Sequence, residues 1–401
     1  MKKRRKLNKK GKLVIFLFSL IICSIFLIII TNTYNNKNKT EKNTINVEKK
    51  DKKPKEEKLS LIMVGDNLIH DKIYNEAKTD NGYDFKKFYT EIKPIVSNYD
   101  LAYYNQETIL GGTELGVSSY PAFNSPYEVG DAMIDTGFNL VSLATNHTLD
   151  RGEKAIINSR NYWNKQENVL AVGSYSSEEE KNSLHIMNKN NITYTLLNYT
   201  YGTNGINVPD GKNYLVNIWP VTGNNPETDA KYQEYKKEIK KDIDTLRDKV
   251  DVLIVAMHWG KEYEYTPNAY QKDMGKYLHD LGVNIIIGTH PHVIQPIEWL
   301  DNTLVIYSLG NFFSAHEVID IGNRVGLMSS IDIIKKNNKI ELKNLKNELL
   351  YTYYTTNYHD FKIIPFTKLT TNELSNYKEV YEKYKNIVTS IDKTIEVTQL
   401  N

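Results

Sequence analysis

The sequence predicts an α/β fold in which strands and helices alternate along the chain. From Leu59 onward, short apolar runs of the length of buried strands are separated by longer amphipathic stretches. The runs are LSLIMV, LAYYN, NLVSLA, YTLLNY, DVLIVAM, NIIIG and TLVIYSL. Strands that alternate with helices form βαβ units, so a largely parallel sheet is expected.

The stretches between these strands have the length and pattern of helices. We expect helices at 84–98, 126–136, 152–164, 229–249 and 268–281. Ser125 is the expected N-cap of the second helix, because Pro126 would then take the first helical position, where a missing N–H is tolerated.

The N-terminus has the pattern of a membrane anchor. Residues 1–12 hold eight Lys or Arg and no acidic residue, and the apolar run LVIFLFSLIICSIFLIII follows at 13–30. As a helix this run would cover roughly 27 Å, close to the hydrocarbon thickness of a bilayer. We expect a single-pass anchor in the cell membrane, with a cytoplasmic N-terminus and an extracellular main domain. A cleaved signal peptide or a lipoprotein at Cys23 is the alternative, but no small-residue cleavage pattern is present.

The part of the chain after the anchor differs from it in composition. Residues 32–58 are polar and mixed in charge, which predicts a flexible linker. Residues 59–401 contain 34 basic and 44 acidic residues, a net charge of −10 that weighs against a nucleic-acid partner. Cys23 is the only cysteine, so any metal bound after residue 31 must be held by nitrogen and oxygen.

Residues of the types that bind metals follow five of the predicted strands. They are Asp66 and His70, Asn105 and Glu107, Asn146 and His147, His258, and His290 with His292. The carboxyl ends of strands in an open α/β sheet lie along one edge, where ligands bind. Imidazoles with carboxylate and amide oxygens suit Zn, Mn or Fe, and a bridging carboxylate can hold two ions.

A single histidine after a strand is more often structural, so the metal hypothesis depends on the joint occurrence of these residues. His185, His279 and His359 lack this setting and are expected to be structural or solvent-facing, whereas His316 stays open because it follows the YSLGNFF turn. We expect the Thr-His-Pro-His segment at 289–292 to be extended, because alternate residues of an extended chain share a side.

Six stretches in this order resemble the CapA family of poly-γ-glutamate capsule synthesis proteins, whose fold is similar to that of calcineurin-like metallophosphatases. They are VGDNLIH, NQE, ATNHTLDRG, HWGKEYEYTP, GTHPHVIQPIE and YSLGNFF. The resemblance implies a metallophosphatase-like two-sheet sandwich flanked by helices, preceded by one transmembrane helix.

The resemblance to metallophosphatases also implies roles for individual residues. Asp66 and His292 would bind a first metal, and Glu107 would bridge to a second. Asn146, His258 and His290 would complete the second site, and His147 would be a general acid. Further candidates, as ligands or as residues that orient ligands, are His70, Asn105, Glu262 and Asn311.

Three positions depart from the metallophosphatase pattern. His70 lies four residues after Asp66 instead of two, Glu107 stands where an aspartate usually bridges, and Thr145 replaces a glycine before Asn-His. The expected cofactor is therefore one or two divalent ions of Mn, Zn or Fe.

The domain organisation follows from these segments. We expect a basic cytoplasmic segment at 1–12, a transmembrane anchor at 13–31, a linker at 32–58 and a CapA-like domain at 59–333. Residues 334–401 should add a strand pair that turns at KKNNK and an amphipathic helix, which complete the second sheet and the domain.

The expected function is synthesis or export of poly-γ-glutamate or a related cell-envelope polymer, with metal-dependent hydrolase chemistry. A metallophosphoesterase acting on a small phosphate ester and a non-catalytic polymer-binding scaffold are the alternatives. The expected partners are the polymer, other membrane components of a capsule assembly, and the membrane itself through the N-terminal helix.

Overall fold

The computed structural model describes residues 21–22, 24–25, 27–31, 56–316, 320–398 and 400. The described residues among 21–31 are helical with exposed side chains, and they belong to a different unit from residues 55–401. No helix among the described residues is long and apolar enough to cross a membrane. The basic segment, residues 13–20 of the predicted anchor and most of the linker lie outside the described residues.

Sixteen strands are present in the described part of residues 56–400. They are β1 (Glu57–Leu68), β2 (Lys78–Thr79), β3 (Gly82–Tyr83), β4 (Leu101–Gln106), β5 (Leu140–Ser142), β6 (Leu170–Val172), β7 (Met187–Lys189), β8 (Ile192–Thr200), β9 (Val252–His258), β10 (Ile285–Thr289), β11 (Ile297–Leu300), β12 (Thr303–Ile306), β13 (Asn311–Ser314), β14 (Val325–Lys336), β15 (Lys339–Tyr353) and β16 (Lys362–Pro365). All seven predicted apolar runs lie in or overlap these strands.

The strands form two mixed sheets and one small hairpin. The larger sheet has the order β16-β15-β14-β1-β4-β5-β6, with β13 also paired to β1, and the smaller has the order β11-β12-β10-β9-β8-β7. Strands β1, β4, β5 and β6 run parallel, as do β8, β9, β10 and β12. The smaller sheet therefore has the expected parallel centre, with antiparallel strands β11 and β7 at its edges. In the larger sheet the parallel strands reach the edge at β6, and the antiparallel pairs of β14, β15 and β16 lie on the other side of β1.

The predicted C-terminal strand pair is present as β14 and β15. Its turn is Asn337-Asn338, with φ of +52° and +59°, the left-handed conformation that two-residue hairpin turns require and that asparagine tolerates. The pair lies in the larger sheet beside β1, not in the smaller sheet.

The main core lies between the two sheets. Successive residues of a strand point to opposite faces, and Leu59, Leu61 and Met63 of β1 pack in one cluster with Ile254 and Ile287 of the smaller sheet. The intervening residues of β1 pack instead with helices on the outer face. Burying each such aliphatic side chain stabilises the fold by about 1.5–3 kcal/mol relative to exposure.

Helices cover the outer faces of both sheets. They are α1 (Asp71–Ala77), α2 (Lys93–Val96), α3 (Glu128–Thr136), α4 (Gly152–Trp163), α5 (Glu178–Asn182), α6 (Ala230–Leu246) and α7 (Ala269–Asp280). A further helix, α8 (Tyr377–Val388), instead packs its buried side chains into the cluster between the sheets. Asp229 caps α6, and Asn268 with Gln271 forms a capping box at α7, so these two helices begin where the sequence predicted.

Two helix predictions are wrong in detail. The segment 84–98 is not one helix but a 3-10 turn at Lys86–Tyr89 followed by α2, because Pro94 lacks the N–H that a continuous helix needs. Ser125 does not cap α3, which begins at Glu128 with no side-chain cap. The Ser125 hydroxyl lies instead 2.8 Å from the Thr108 hydroxyl.

Candidate metal centre

The carboxyl ends of strands from both sheets meet at one end of the sandwich. The larger sheet supplies Asp66 from β1, Glu107 after β4 and Asn146 after β5, and the smaller sheet supplies His258 from β9 with His290 and His292 after β10. All six side chains are buried. The structure thus brings together all six residues that the sequence predicted as ligands.

Two glycines allow the strands to approach closely enough for this. A Cβ at Gly65 would lie 1.8 Å from the Gly310 carbonyl oxygen, and a Cβ at Gly288 would lie 1.9 Å from that of Tyr307. Both distances are far below any van der Waals contact. A larger residue at position 65 would therefore displace Asp66, and one at position 288 would displace the histidine segment at 289–292.

Glu107 is shared by two groups of potential ligands. One group is Asp66, Glu107 and His292, and the other is Glu107, His258 and His290; within each group the ligand atoms lie within 4.8 Å of one another. Neither carboxylate oxygen of Glu107 accepts a hydrogen bond from a described residue, and His290 Nδ1 is also without a partner among them. Burying a carboxylate without compensation costs several kcal/mol, so the donor set fits a bound cation.

The electrostatics of the cluster favour positive charge. Burial raises the pKa of Glu107 well above its usual value. Burial also opposes protonation of His292, but the nearby Glu107 and Asp66 carboxylates outweigh it and raise the pKa of His292 to about 10. His292 Nε2 lies 3.5 Å from Glu107 Oε1. A proton or a divalent cation between His292 Nε2 and Glu107 would neutralise the negative charge of the carboxylates.

Asparagine side chains orient the first group. Asn105 Nδ2 donates to Asp66 Oδ1 at 2.8 Å, while Asn105 Oδ1 accepts from the Ser142 hydroxyl at 2.6 Å. Asn311 Oδ1 lies 3.0 Å from His292 Nδ1 and can accept a hydrogen bond from its N–H. Asn105 and Asn311 therefore contact candidate ligands, and the hydrogen bond from His292 leaves its Nε2 facing Glu107.

The Thr-His-Pro-His segment is not extended, which corrects the sequence-based expectation. His290 has φ of +94° and His292 has φ of +57°, values that cost a non-glycine residue about 1–3 kcal/mol each. The Asp66 carboxylate accepts a hydrogen bond from the His290 backbone N–H at 3.1 Å. This bond helps to hold a tight turn in which the two imidazole centroids lie 5.6 Å apart.

His147 lies beside the cluster with an oriented ring. Its Nδ1 lies 2.7 Å from Asp150 Oδ2, and Asp150 also accepts a hydrogen bond from the Phe123 N–H at 2.7 Å. Phe123 packs edge-on against the imidazole at 4.7 Å. An imidazole held by a carboxylate at Nδ1 can exchange a proton through Nε2.

His70 belongs to neither of the two ligand groups. Its Nε2 lies 3.3 Å from His316 Nδ1, and His316 Nε2 lies 3.1 Å from the Tyr263 hydroxyl. Burial lowers the pKa of His70 to about 4 and that of His316 to about 2, so both rings are neutral near pH 7. His185 and His279, expected to be structural, contact Ser183 and Thr303 outside the ligand groups.

The sequence reasoning missed several residues of the site. Asp150 lies three residues after His147 in the stretch ATNHTLDRG, and this spacing could have indicated a partner for the imidazole. Tyr263 and His316 meet only through the fold, so no local pattern pairs them. Glu262, named only as a further candidate, lies with its Oε1 4.0 Å from His292 Nε2.

Solved structures with a related architecture are distant. A novel phosphatase from Mycoplasma pneumoniae is 13% identical with a TM-score of 0.45, covering 73% of this chain and 94% of that one. The calcineurin-like phosphoesterase YfkN from Bacillus subtilis is 14% identical with a TM-score of 0.43, covering 82% and 99%.

Curated relatives and a family model are closer. The PGA biosynthesis protein CapA of Bacillus subtilis (strain 168) is 30% identical over 180 residues, which are 44% of this chain and 43% of that protein. The capsule biosynthesis protein CapA of Bacillus anthracis is 28% identical over 265 residues, 64% of this chain and 60% of that protein. The chain thus aligns with less than two thirds of either relative. The model described as bacterial capsule synthesis protein PGA_cap matches residues 60–316, and the chain belongs to that family.

Proposed function

We propose that this protein is a membrane-anchored extracellular hydrolase that acts on poly-γ-glutamate or a related cell-envelope polymer through a metal centre. The observation that carries the proposal is the position of Glu107, which is fully buried, shared by two ligand groups and without a hydrogen bond from any described residue. The names of the two curated relatives, which refer to PGA and capsule biosynthesis, support the polymer as substrate.

The proposed ligand sets follow the two groups. Asp66, Glu107 and His292 would hold one divalent ion, and Glu107, His258 and His290 would hold a second with Asn146. Carboxylates, imidazoles and an amide oxygen are suitable ligands for Mn, Zn or Fe. When bound, such an ion polarises a carbonyl or phosphoryl group and makes water a stronger nucleophile at neutral pH.

The proposed role of His147 is to donate a proton to the leaving group. Asp150 Oδ2 accepts a hydrogen bond from His147 Nδ1 at 2.7 Å. This bond fixes the imidazole ring and leaves Nε2 for proton transfer. For an amide bond of poly-γ-glutamate, the leaving amine needs this proton before it can depart.

The membrane anchor is part of the proposal because of the N-terminal sequence. Eight basic residues precede an 18-residue apolar run, the arrangement that keeps an N-terminus in the cytoplasm. An anchored domain outside the cell would meet the polymer as it is exported.

A non-catalytic polymer-binding scaffold is a second candidate, and one observation favours it. His70, in the first of the stretches that resemble metallophosphatases, contacts His316 and belongs to neither ligand group containing Glu107. A scaffold would keep the fold without turnover.

Metal content and turnover of the purified full-length chain test the proposal. We expect Zn, Mn or Fe at neutral pH in the wild type and in His279→Ala, a matched histidine control on α7, and a loss of metal in His292→Ala. The metal-loaded protein should shorten poly-γ-glutamate, detected by chain length and by new amino groups. Absence of metal from the wild type would reject the hydrolase and leave the scaffold; metal with turnover of an aryl phosphate only would favour a phosphoesterase.

A further inference from the structure

The loop between β9 and α7 places a third carboxylate at the cluster. Glu262 Oε1 lies 4.0 Å from His292 Nε2, and Glu262, His290 and His292 form a third group whose ligand atoms lie within 4.8 Å of one another. The Glu262 side chain is 44% exposed and makes no hydrogen bond to another described residue, so it is able to turn.

The orientation of His292 determines which carboxylates would lie near an ion bound to its imidazole. Its Nδ1 faces Asn311 Oδ1 at 3.0 Å and Asp66 Oδ2 at 3.5 Å, so Nε2 is the nitrogen available to an ion. Nε2 faces Glu107 at 3.5 Å and Glu262 at 4.0 Å. Two ligand atoms that each lie about 2.0–2.2 Å from one ion can be up to about 4.4 Å apart, so each of these carboxylates lies close enough to share an ion with His292 Nε2.

The backbone that carries Glu262 is held against the histidine turn. The Tyr263 N–H donates to the Pro291 carbonyl at 2.8 Å, between the two histidines. Gln295 Nε2 donates to the Glu264 carbonyl at 2.7 Å on the other side of Tyr263. Tyr263 has φ of +66°, an unusual conformation for a bulky residue that these bonds maintain.

A chain of side-chain hydrogen bonds fixes the ring of Tyr263 as well. Its hydroxyl meets His316, and His316 meets His70, with both imidazoles neutral. If His70 Nδ1 donates to the Leu68 carbonyl, then His70 Nε2 accepts from His316 Nδ1, and His316 Nε2 accepts from the Tyr263 hydroxyl. If His70 Nδ1 instead accepts from the Ala315 N–H, then His70 Nε2 donates to His316 Nδ1 and His316 Nε2 donates to the Tyr263 hydroxyl oxygen.

We propose that Glu262 is a further ligand of an ion bound at His292, within the group that it forms with His290 and His292. The inference rests on the proposed metal centre and extends it. A further carboxylate would make the ligand set richer in oxygen, which suits Mn²⁺. The exposed Glu262 side chain would turn inward on binding, while Asp66 and Glu107 are already buried.

Titration of metal-stripped full-length chain with Mn²⁺ tests the assignment. Glu262→Gln keeps the size of the side chain and removes the charge, and Glu264→Gln, on the same loop and also 44% exposed, is the matched control. We expect Glu262→Gln to weaken one Mn²⁺ site at least about tenfold by calorimetry and to change the electron paramagnetic resonance spectrum of bound Mn²⁺. Thermal unfolding of the metal-free variants should match the wild type.

The outcomes separate this inference from the proposed function. If the wild type binds Mn²⁺, His292→Ala loses a site and Glu262→Gln matches Glu264→Gln in affinity and spectrum, the metal centre stands and the assignment of Glu262 is overturned. If the wild type binds no metal ion, both fall together. A weaker Mn²⁺ site and an altered spectrum in Glu262→Gln, but not in Glu264→Gln, would support Glu262 as a metal ligand.

Discussion

His258 Nε2 lies 2.8 Å from the side-chain oxygen of Asn146, and this contact joins the smaller sheet to the larger one at the metal centre. In the metal-free protein, Nε2 carries the proton that this hydrogen bond needs. To bind an ion through Nε2, the ring must carry its proton on Nδ1, which lies 3.0 Å from the Thr289 hydroxyl. A hydroxyl can donate or accept, so Thr289 suits both tautomers.

Thr289→Val should therefore weaken metal binding, because valine cannot accept a hydrogen bond from the Nδ1–H of His258. The β-branched side chain suits the strand, so the fold should persist. We expect a loss of about 10–100-fold in affinity at one site, measured by calorimetry. Thr303→Val is the control, since its hydroxyl contacts His279 outside the ligand groups. Equal affinities for the two variants would contradict a role for Thr289.

His147→Ala should reduce turnover without removing metal. A positioned proton donor contributes about 10²–10⁴-fold to the rate, and the imidazole belongs to none of the ligand groups containing Glu107. Asp150→Asn should reduce turnover in the same direction, because the amide can donate to Nδ1 and favour the wrong tautomer. Metal analysis beside rate measurements distinguishes these roles, and a His147→Ala protein that loses its metal would show that the residue is a ligand.

Glu107→Gln should abolish the stabilisation that metal gives. An ion present at 100 times its Kd stabilises the native state by about 2.7 kcal/mol, and removing the shared carboxylate removes this increment. Thermal unfolding with and without Mn²⁺ measures the difference, with Glu264→Gln as a variant that keeps it. A metal-induced rise in Tm that survives Glu107→Gln would contradict the central position of this residue.

Glu180 should make the stability depend on pH. Its carboxylate lies 2.9 Å from Arg160, which joins α5 to α4. Burial opposes its ionisation, but Arg160 and hydrogen bonds from Ser176 and Asn164 outweigh burial and lower the pKa of Glu180 from 4.5 to about 2. Because the folded pKa is the lower one, the contribution to stability is complete above about pH 4.5 and is lost as the pH falls toward 2.

Urea unfolding of Glu180→Gln tests this dependence. At pH 7 the variant should be less stable than the wild type by about 1–3 kcal/mol, and the difference should shrink at pH 3. Glu178→Gln, exposed on the same helix, should match the wild type at both values. A constant difference at the two pH values would mean that charge is not the cause.

The proposed topology predicts which part of the chain a protease can reach. Protease added to intact protoplasts should remove residues 59–401 and spare the cytoplasmic segment at 1–12, as detected with antibodies to each end. Protection of the C-terminal part until the cells are lysed would show that the proposed orientation is wrong.

The sequence was sufficient to predict the strands formed by long apolar runs, the C-terminal strand pair and the residue types at the strand ends, but not short strands such as β6, β7 and β13. Apolar runs such as DVLIVAM determine β9, and the first polar residue after such a run falls at the sheet edge. Contacts between distant segments could not be predicted. The hydrogen bond from Tyr263 to Pro291 places Glu262, and the bond from His290 to Asp66 helps to hold a turn that local propensity disfavours.

The six candidate ligands come equally from the two sheets, three from each. An ion bound by both sets would therefore be a cross-link across the sandwich, in a chain whose only cysteine lies at position 23 and whose main domain can form no internal disulfide. Removing the ion would let the sheets separate more easily and expose their apolar core to proteases. For a protein proposed to lie outside the cell, the local supply of metal would then determine its lifetime, whatever reaction it catalyses.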